Sequence, residues 1–376
     1  MIVLTADRVL TGAGAPIRSG AVAVDGDRIV WTGPVGDLPA RWNAADRIDV
    51  PDSTLLPGMI DSHVHLSLAE SPDLARERDI AASILRSGVT TVRDLGGPGP
   101  HVPAPPGLRV TAAGVPLTVP DGHCHHLGGA VTTTADISGR ITTTAAAGAR
   151  WIKAMVTGGF TTSGHTSPYT TQFTGGQLAA IVTAAREYGL RVAAHAHGTA
   201  GIRQAVRAGV DSIEHCTWMS EDGFDFDRGL VVEIAAAGIT VCPTINEHAR
   251  NAVGRLPWAV RREHLSVMLA AGVTLIPGTD SGIPHSRHDR FPQSLPAYTD
   301  LGLSAGEVVE LCGRAAADAL GLAEEIGTLA RGRAADLIAV SGDPTRDLTA
   351  LTRPILVMAA GNLHHHEPVP QEDIRS

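Results

Sequence analysis

The chain contains almost no lysine. Of its 30 basic residues 29 are arginine, and the single lysine is Lys153. Arginine can replace lysine almost anywhere on a protein surface, so a position that keeps its lysine is one where arginine chemistry does not serve. The alternative interpretation is that Lys153 is a chance survivor in an arginine-rich chain. We treat Lys153 as a candidate functional residue.

Other absences exclude whole classes of protein. With a formal net charge of −9, the chain lacks the basic surface that nucleic acids or acidic membranes require. It has no apolar run long enough to span a bilayer, and its first residues do not resemble a signal peptide. The 4 cysteines show no C-x-x-C spacing, which is typical of reduced thiols. The sequence predicts a cytoplasmic protein, and it leaves a monomer and a homo-oligomer both open.

Both ends of the chain have the pattern of short strands separated by turns. An Asp25-Gly26 turn between two apolar runs indicates a hairpin near the N-terminus. We expect the two ends to pair into one small β-sandwich made of residues 1–56 and 326–365. Residues 366–376 are expected to be a tail, and the three histidines at 364–366 are interpreted as a solvated end and not as a metal site.

The middle of the chain, residues 57–325, alternates short apolar strands with helical stretches, as parallel βα units do. Eight strands are predicted, the number that closes a (β/α)8 TIM barrel, so the fold class is α/β. The predicted strands are 59–60, 90–94, 108–113, 151–156, 190–195, 211–215, 239–243 and 273–280. Helices are predicted before residue 86 and at 136–148, 174–189, 199–208, 228–237 and 258–271.

The first of these strands leads into a pair of histidines. Strand side chains alternate between faces, so His63 and His65 point to the same side. Two imidazoles side by side at the end of an apolar strand make half of a metal site. The alternative is a pair of ordinary loop histidines, and the rest of the chain has to decide between the two.

Further titratable residues stand at the carboxyl ends of other predicted strands. In a (β/α)8 barrel those ends converge on one mouth, where the active site lies. Any one of these residues alone fits a buried core histidine or a solvated charge, but together they predict a metal-dependent active site. The six residues, from five strands, are His63, His65, Lys153, His195, His215 and Asp280.

These motifs resemble those of the amidohydrolase superfamily in its binuclear form with a bridging lysine. P-G-x-I-D-x-H-x-H at 57–65, I-E-H at 213–215, P-G-T-D-S-G at 277–282 and the Gly- and Ala-rich return at 327–337 all stand unbroken. Within the superfamily the chain looks most like the imidazolonepropionase and Xaa-Pro dipeptidase (prolidase-like) branch. The segments that suggest the branch are 122–123, 153–159 and 194–198.

The resemblance implies a mechanism. Lys153, carboxylated by CO2, would bridge two divalent ions, zinc by ligand type, with manganese, cobalt and iron as alternatives. One ion would be held by His63, His65 and Asp280, and the other by His195 and His215. A metal-bound hydroxide would attack the scissile carbonyl, with Asp280 as the proton shuttle.

The resemblance also implies substrate contacts. His123 would stabilise the developing oxyanion, and His197 stands where relatives contact a substrate carboxylate. The loop 157–174, with Tyr169, is a candidate lid or pocket wall, with a plain connection as the alternative. Arg287 and Arg290 are candidates for binding a carboxylate, with a solvated loop as the alternative.

The predicted function is hydrolysis of an amide-type C–N bond in a small molecule: a dipeptide, an N-acyl amino acid or a cyclic amide. A deaminase on the same barrel is an alternative, although residues 195–200 lack the glutamate that mononuclear deaminases place after the strand-5 histidine. A lactonase or phosphotriesterase and a non-catalytic binding scaffold are further alternatives. The scaffold is disfavoured because none of the six ligands is missing.

Overall fold

The computed structural model of the chain describes residues 1–68, 73–97, 107–160 and 166–367. Strands and helices alternate through the middle, and strands dominate both ends. The strands are β1 (Ile2–Val9), β2 (Ile17–Asp25), β3 (Arg28–Pro34), β4 (Asp46–Pro57), β5 (Met59–Val64), β6 (Val89–Asp94), β7 (Arg109–Ala112), β8 (Trp151–Met155), β9 (Arg191–Gly198), β10 (Ser212–Ser220), β11 (Gly223–Phe224), β12 (Thr240–Cys242), β13 (Leu337–Ser341), β14 (Pro354–Ala359) and β15 (Asn362–His366). The α-helices are α1 (Leu74–Arg86), α2 (Thr134–Ala146), α3 (Gly175–Glu187), α4 (Thr199–Ala208), α5 (Arg228–Ala236), α6 (Trp258–Ala270), α7 (Phe291–Ser294), α8 (Pro296–Thr299), α9 (Ala305–Glu310) and α10 (Ala316–Leu320).

The two ends of the chain meet in one seven-stranded sheet, with strand order β15-β14-β13-β4-β1-β2-β3. The long strand β4 joins the two halves, because it pairs in parallel with β1 and antiparallel with β13. Alternating apolar residues of these strands pack together on one face in a cluster that includes Leu4, Val22, Leu55, Leu337 and Leu356. The strands predicted at the two ends therefore associate, within a single hydrogen-bonded sheet.

The three histidines at 364–366 are not a solvated tail. They lie in β15, where His366 pairs with Leu356 and His365 with Val357, and their side chains are half-buried. The apolar pattern did not predict this strand, because an edge strand needs backbone partners on one side only and tolerates polar side chains.

The middle of the chain forms two parallel sheets. One has the order β5-β6-β7, and the other contains β8, β9, β10 and β12 with the short β11 antiparallel on β10. Backbone hydrogen bonds connect the two sheets at both sides. They run from Leu117 N to Lys153 O (2.8 Å), from Ile276 N to Val241 O (2.9 Å) and from Asp280 N to His63 O (2.8 Å).

The predicted eighth strand, 273–280, is not a regular strand. It makes only isolated parallel bridges, from Leu275 to Val241 and, just beyond it, from Ser281 to Val64. Pro277 has no N–H to donate to a ladder, so a continuous strand is not available there. Gly278 lets this segment approach β5 closely, because a Cβ on it would lie 2.8 Å from His63 N. This close approach carries Asp280 to the histidines of β5.

Helices cover the parallel sheets, and their ends follow local sequence signals. Thr133 and Asp136 form a capping box at the start of α2, and Thr174 and Gln177 form one at the start of α3. Between helices and sheets lies the main apolar core. Among the described residues, no helix combines the length and apolar character needed to cross a membrane.

Candidate active site

A cavity of about 440 Å³ opens where β5, β8, β9 and β10 end. All six candidate ligands predicted from the sequence line it, although they come from positions as far apart as 63 and 280. His123 and His197 line the same cavity. The polar groups fall into two clusters with Lys153 between them.

The first cluster consists of His63, His65 and Asp280. Nε2 of His63 lies 3.3 Å and Nε2 of His65 lies 3.1 Å from Asp280 Oδ1. The other ring nitrogens are held from behind, with Nδ1 of His63 2.8 Å from Glu214 Oε2 and Nδ1 of His65 2.7 Å from Gly96 O. Both partners accept hydrogen bonds, so each Nδ1 carries a proton, and each Nε2 faces the cavity and Asp280.

Asp280 is anionic in this setting. Burial by itself would raise the pKa of its carboxyl, but His63 and His65 hold that pKa well below its usual range. The residue also has a φ of 57°, in the left-handed region that side chains other than glycine seldom adopt. His215 in the second cluster shares this feature, with a φ of 69°. Strained backbone of this kind is typical of functional sites.

The second cluster consists of His195, His197 and His215, whose ring nitrogens approach within 4.8 Å of one another. The ring centroid of His215 lies 4.4 Å from that of His195 and 4.4 Å from that of His197. Burial lowers the pKa of all three imidazoles, that of His197 to about 3. They are therefore neutral near pH 7, the form in which histidine binds metals.

The second cluster is held by uncharged partners. Nε2 of His195 donates to Gly158 O at 3.1 Å, which leaves Nδ1 as its lone-pair nitrogen. Nδ1 of His215 lies 2.9 Å from Thr244 Oγ1, and Nδ1 of His197 lies 3.0 Å from Thr217 Oγ1. No carboxylate of the described residues hydrogen-bonds to these three rings.

Lys153 lies between the clusters. Its side chain is buried, and Nζ lies 3.5 Å from His63 Nε2. Burial lowers the pKa of the amine below its ordinary value of 10.5, against the opposing charges of Glu214 and Asp280. A lowered pKa increases the fraction of neutral amine, which is the nucleophilic form.

Sequence reasoning did not find the charged pair behind His63. Arg93 and Glu214 are fully buried, and Nη2 of Arg93 lies 2.8 Å from Glu214 Oε1 and 3.0 Å from Oε2. Arg93 Nε also donates to Ser62 O at 2.6 Å, and its guanidinium lies over the Trp151 ring. Despite burial, Arg93 and His63 lower the pKa of Glu214 to about 2. The available signal was a charged residue inside each of two buried strands, which is rare without a partner.

The predicted substrate contacts have different outcomes. His123 lies against the second cluster, with its ring centroid 4.7 Å from that of His195, and burial lowers its pKa to about 4. Tyr169 is not among the described residues that line the cavity; its backbone packs where a Cβ on Gly198 would lie. Arg287 forms an ion pair with Asp289 at 2.8 Å. Part of the 157–174 loop, residues 161–165, falls outside the described residues.

The donor set fits divalent metal ions. It offers imidazoles, one carboxylate and one buried amine, and nitrogen and oxygen ligands of this kind suit zinc and related ions. Each candidate histidine also has one ring nitrogen fixed by a hydrogen bond, as metal-binding histidines usually do.

Comparison with known proteins agrees with this geometry. The amidohydrolase family model matches residues 54–364, and a family model described as an imidazolonepropionase-like composite domain of bacteria matches residues 20–42. An ochratoxinase of Aspergillus niger is 25% identical over 94% of this chain and 83% of its own. An imidazolonepropionase of Streptomyces avermitilis (strain ATCC 31267) is 28% identical over 87% of this chain and 82% of its own. The crystal structure of a Xaa-Pro dipeptidase with methionine bound in its active site superimposes with a TM-score of 0.80, at 27% identity over 96% of this chain and 99% of that one.

Proposed function

Because this chain belongs to the amidohydrolase family, in the branch of imidazolonepropionases and prolidases that its motifs predicted, we propose that it hydrolyses an amide C–N bond of a small molecule with the help of two divalent metal ions. The family and its enzyme relatives identify it as a hydrolase of C–N bonds. The observation that carries the finer proposal is the meeting of six metal-ligand side chains around one cavity.

The proposed ligands divide as the clusters do. His63, His65 and Asp280 would hold one ion, while His195 and His215 would hold the other. Zinc is the proposed metal, since the set is rich in imidazole. Such a pair of ions, when bound, lowers the pKa of water and polarises the scissile carbonyl.

Lys153 is proposed to join the two sites after its amine adds CO2 to form a carbamate. The burial of Nζ supports this, because burial favours the neutral amine that can attack CO2. A carbamate would also place an anion beside the histidines of the second cluster, which hydrogen-bond to no carboxylate within the described part of the chain. An arginine could not form this group stably, which agrees with the retained lysine.

Asp280 is proposed as the proton shuttle. Its carboxylate is anionic and touches the cavity through a side chain that is 17% exposed, so it can accept a proton there and deliver it to the leaving nitrogen. His123 is proposed to contact the substrate carbonyl oxygen, where a hydrogen bond would stabilise the developing negative charge. His197 is proposed as a substrate contact on the same side.

The arrangement of strands supports a closed (β/α)8 barrel as the frame of the site, with residues 57–325 as its domain and 1–56 with 326–365 as the sheet domain. The three backbone hydrogen bonds between the two parallel sheets and the segments beside them lie where a closed barrel would pair its strands, which supports this proposal. The irregular segment 273–280 would take the place of the eighth strand.

Dipeptides, N-acyl amino acids and cyclic amides are the proposed substrates. The similar proteins support them, since one is a Xaa-Pro dipeptidase, one an ochratoxinase and one an imidazolonepropionase. The cavity volume of about 440 Å³ falls in the range of small-molecule sites.

The test begins with metal content per chain, measured by elemental mass spectrometry on protein purified without chelators. About two ions per chain are expected, with hydrolysis of members of a dipeptide and N-acyl amino acid panel that chelation abolishes and Zn²⁺ with bicarbonate restores. One ion per chain would favour a mononuclear deaminase. Hydrolysis by rigorously metal-free protein would overturn the mechanism.

A further inference from the structure

One arginine lines the active-site cavity without an acidic partner among the described residues. Arg261 lies in the first turns of α6, and its side chain is buried, with 7% of the residue exposed. It borders both the active-site cavity and a second cavity of about 490 Å³ that adjoins it. The two cavities share Phe160, Thr244, Asn246, Leu256 and Arg261, so Arg261 lies at their junction.

The hydrogen bonds of Arg261 use only part of its guanidinium. Nη2 donates to the carbonyl oxygens of Pro243 and Thr244. Nε and Nη1 make no hydrogen bond to a described residue, and neither is a buried atom cut off from solvent. Nε and Nη1 therefore keep N–H donors that no described residue takes up, and an anion in the cavity could accept hydrogen bonds from them.

Two other buried or half-buried arginines of the fold have the carboxylate partner that Arg261 lacks. Arg93 pairs with Glu214, and Arg203 pairs with Asp227 at 2.6 Å. No carboxylate of the described residues lies within ion-pair distance of Arg261. Burial lowers the pKa of Arg261 to about 10, so the group stays cationic at neutral pH. A buried cation without a counter-ion is costly, and a bound anion would remove that cost.

Arg261 is also the cationic side chain of the cavity that stays available to an anionic ligand. Apart from histidines, the cationic side chains among the described residues lining the cavity are Lys153 and Arg261. Lys153 lies among the candidate metal ligands, at the inner end, whereas Arg261 shares the outer cavity. An elongated substrate could thus place its scissile amide at the metal ligands and an anionic group at Arg261.

We propose that Arg261 binds the carboxylate of the substrate and so selects N-acyl amino acids and dipeptides over neutral amides and cyclic amides without an acid group. This inference rests on the proposed function, which it narrows to substrates with a free carboxylate. The sequence analysis gave the role of carboxylate binding to Arg287 and Arg290. This proposal gives it to Arg261.

The test uses two matched probe pools and the full-length metal-loaded enzyme. One pool contains N-acetyl-L-amino acids and dipeptides, and the other contains the same compounds as carboxamides. We expect the wild-type enzyme to prefer the free acids in kcat/KM by at least about tenfold, as charge-assisted hydrogen bonds allow. Arg261→Gln should raise KM for the acids about 10- to 100-fold with a small change in kcat, and leave the carboxamides unchanged.

Two variants separate binding from structure. Arg262→Gln changes the adjacent, exposed arginine of the same helix and should behave as wild type. Arg261→Lys keeps the charge but replaces the planar guanidinium by a compact ammonium group, so it should recover part of the preference. If Arg261→Gln does not fold, Arg261→Lys carries the comparison: its preference for acids over amides should be weaker than that of the wild type, and an unchanged preference would overturn the role of Arg261.

Equal kcat/KM for acids and carboxamides, or an Arg261→Gln enzyme that keeps the wild-type preference, would overturn the role of Arg261. Binding of both pools, followed by ligand-observed nuclear magnetic resonance, gives a readout that needs no turnover. If neither pool is hydrolysed, the proposed function fails. Tighter binding of the acids, lost in Arg261→Gln, would then still support the carboxylate site, and equal binding would refute it.

Discussion

The two halves of the active site are built from similar histidines but differ in the charge around them. His63 and His65 lie within 3.3 Å of Asp280, and His63 is supported by the anionic Glu214. His195 and His215 lie among other neutral rings and are held by a carbonyl and a hydroxyl group. Within the described residues, the first half supplies its own negative charge, and the second half does not.

In the proposed two-metal site, this difference gives a group between the halves a role. A dication among neutral imidazoles alone keeps its full charge in a buried place, which is unfavourable. A carbamate on Lys153 would give the second half the anion that the first half already has in Asp280. If two ions bind as proposed, we therefore expect the ion in the second half to depend more on Lys153 than the ion in the first half does.

The largest expected effect comes from Lys153→Arg, which removes the bridge. Activity should fall by at least about 10⁴-fold, because metal ions contribute several kcal/mol to such reactions. Metal content should fall from about two ions per chain toward one, retained by the half with Asp280. Lys153→Glu, which restores a carboxylate, should keep more metal. Full metal content and activity in Lys153→Arg would refute the bridge.

Asp280→Asn should have the next largest effect. The amide cannot accept the proton, so we expect kcat to fall about 10³-fold, within the range of general acid–base catalysis. The fold should be kept, with at least one ion still bound. Circular dichroism and metal analysis provide the controls, and an unchanged kcat would exclude Asp280 as the shuttle.

Glu214→Gln tests the support of the first half only. Loss of the anion behind His63 should weaken metal binding by about 10- to 100-fold. It should also destabilise the fold by about 3–5 kcal/mol, because Arg93 is left buried without its partner. Metal titration and denaturant unfolding measure the two effects. If metal affinity is unchanged, Glu214 serves the fold alone.

The neutral histidines of the second half predict a dependence of stability on acid. The pKa of His197 is about 3 in the folded protein and 6.5 for a histidine freely exposed to water, so between these values the unfolded chain binds a proton that the folded chain does not. The free energy of unfolding of the metal-free protein should therefore fall as the pH drops from 6.5 toward 3. His197→Asn should reduce this slope by about 1.4 kcal/mol per pH unit.

The smallest effect is expected for Thr244→Val in the second half. It removes one neutral hydrogen bond to Nδ1 of His215, so metal affinity should weaken by less than about tenfold. The loss of metal affinity in Thr244→Val, compared with the loss in Glu214→Gln, measures how much more a charged hydrogen-bond partner contributes than a neutral one. Equal effects of the two variants would remove the distinction between the halves.

The sequence predicted that the candidate ligands would meet, because they stand at strand ends. Strand alternation placed His63 and His65 on one side, and the ordering of βα units brought Lys153, His195 and Asp280 to the same cavity. Those inferences need only local periodicity and the convergence of parallel strands.

The other features depend on contacts between distant segments. Arg93 and Glu214 each resemble an isolated charge in a strand until the strands are placed side by side. Arg261 and Arg262 are adjacent in sequence, and only the packing of α6 shows which one points to the cavity. Pro277 interrupts the predicted eighth strand because it has no N–H, and Gly278 allows a close approach to His63 that apolar patterning does not reveal.

The seven-stranded sheet also constrains the order in which the chain can fold. Leu56 pairs with Ile338, so β4 finds its neighbour only after the whole catalytic domain has been synthesised. Until then Leu55 and the apolar face of β1 to β4 lack the cover that β13 and β14 provide. Nascent chains would expose this strand edge for the time needed to translate about 280 residues, and an unpaired edge can pair with another chain during that time.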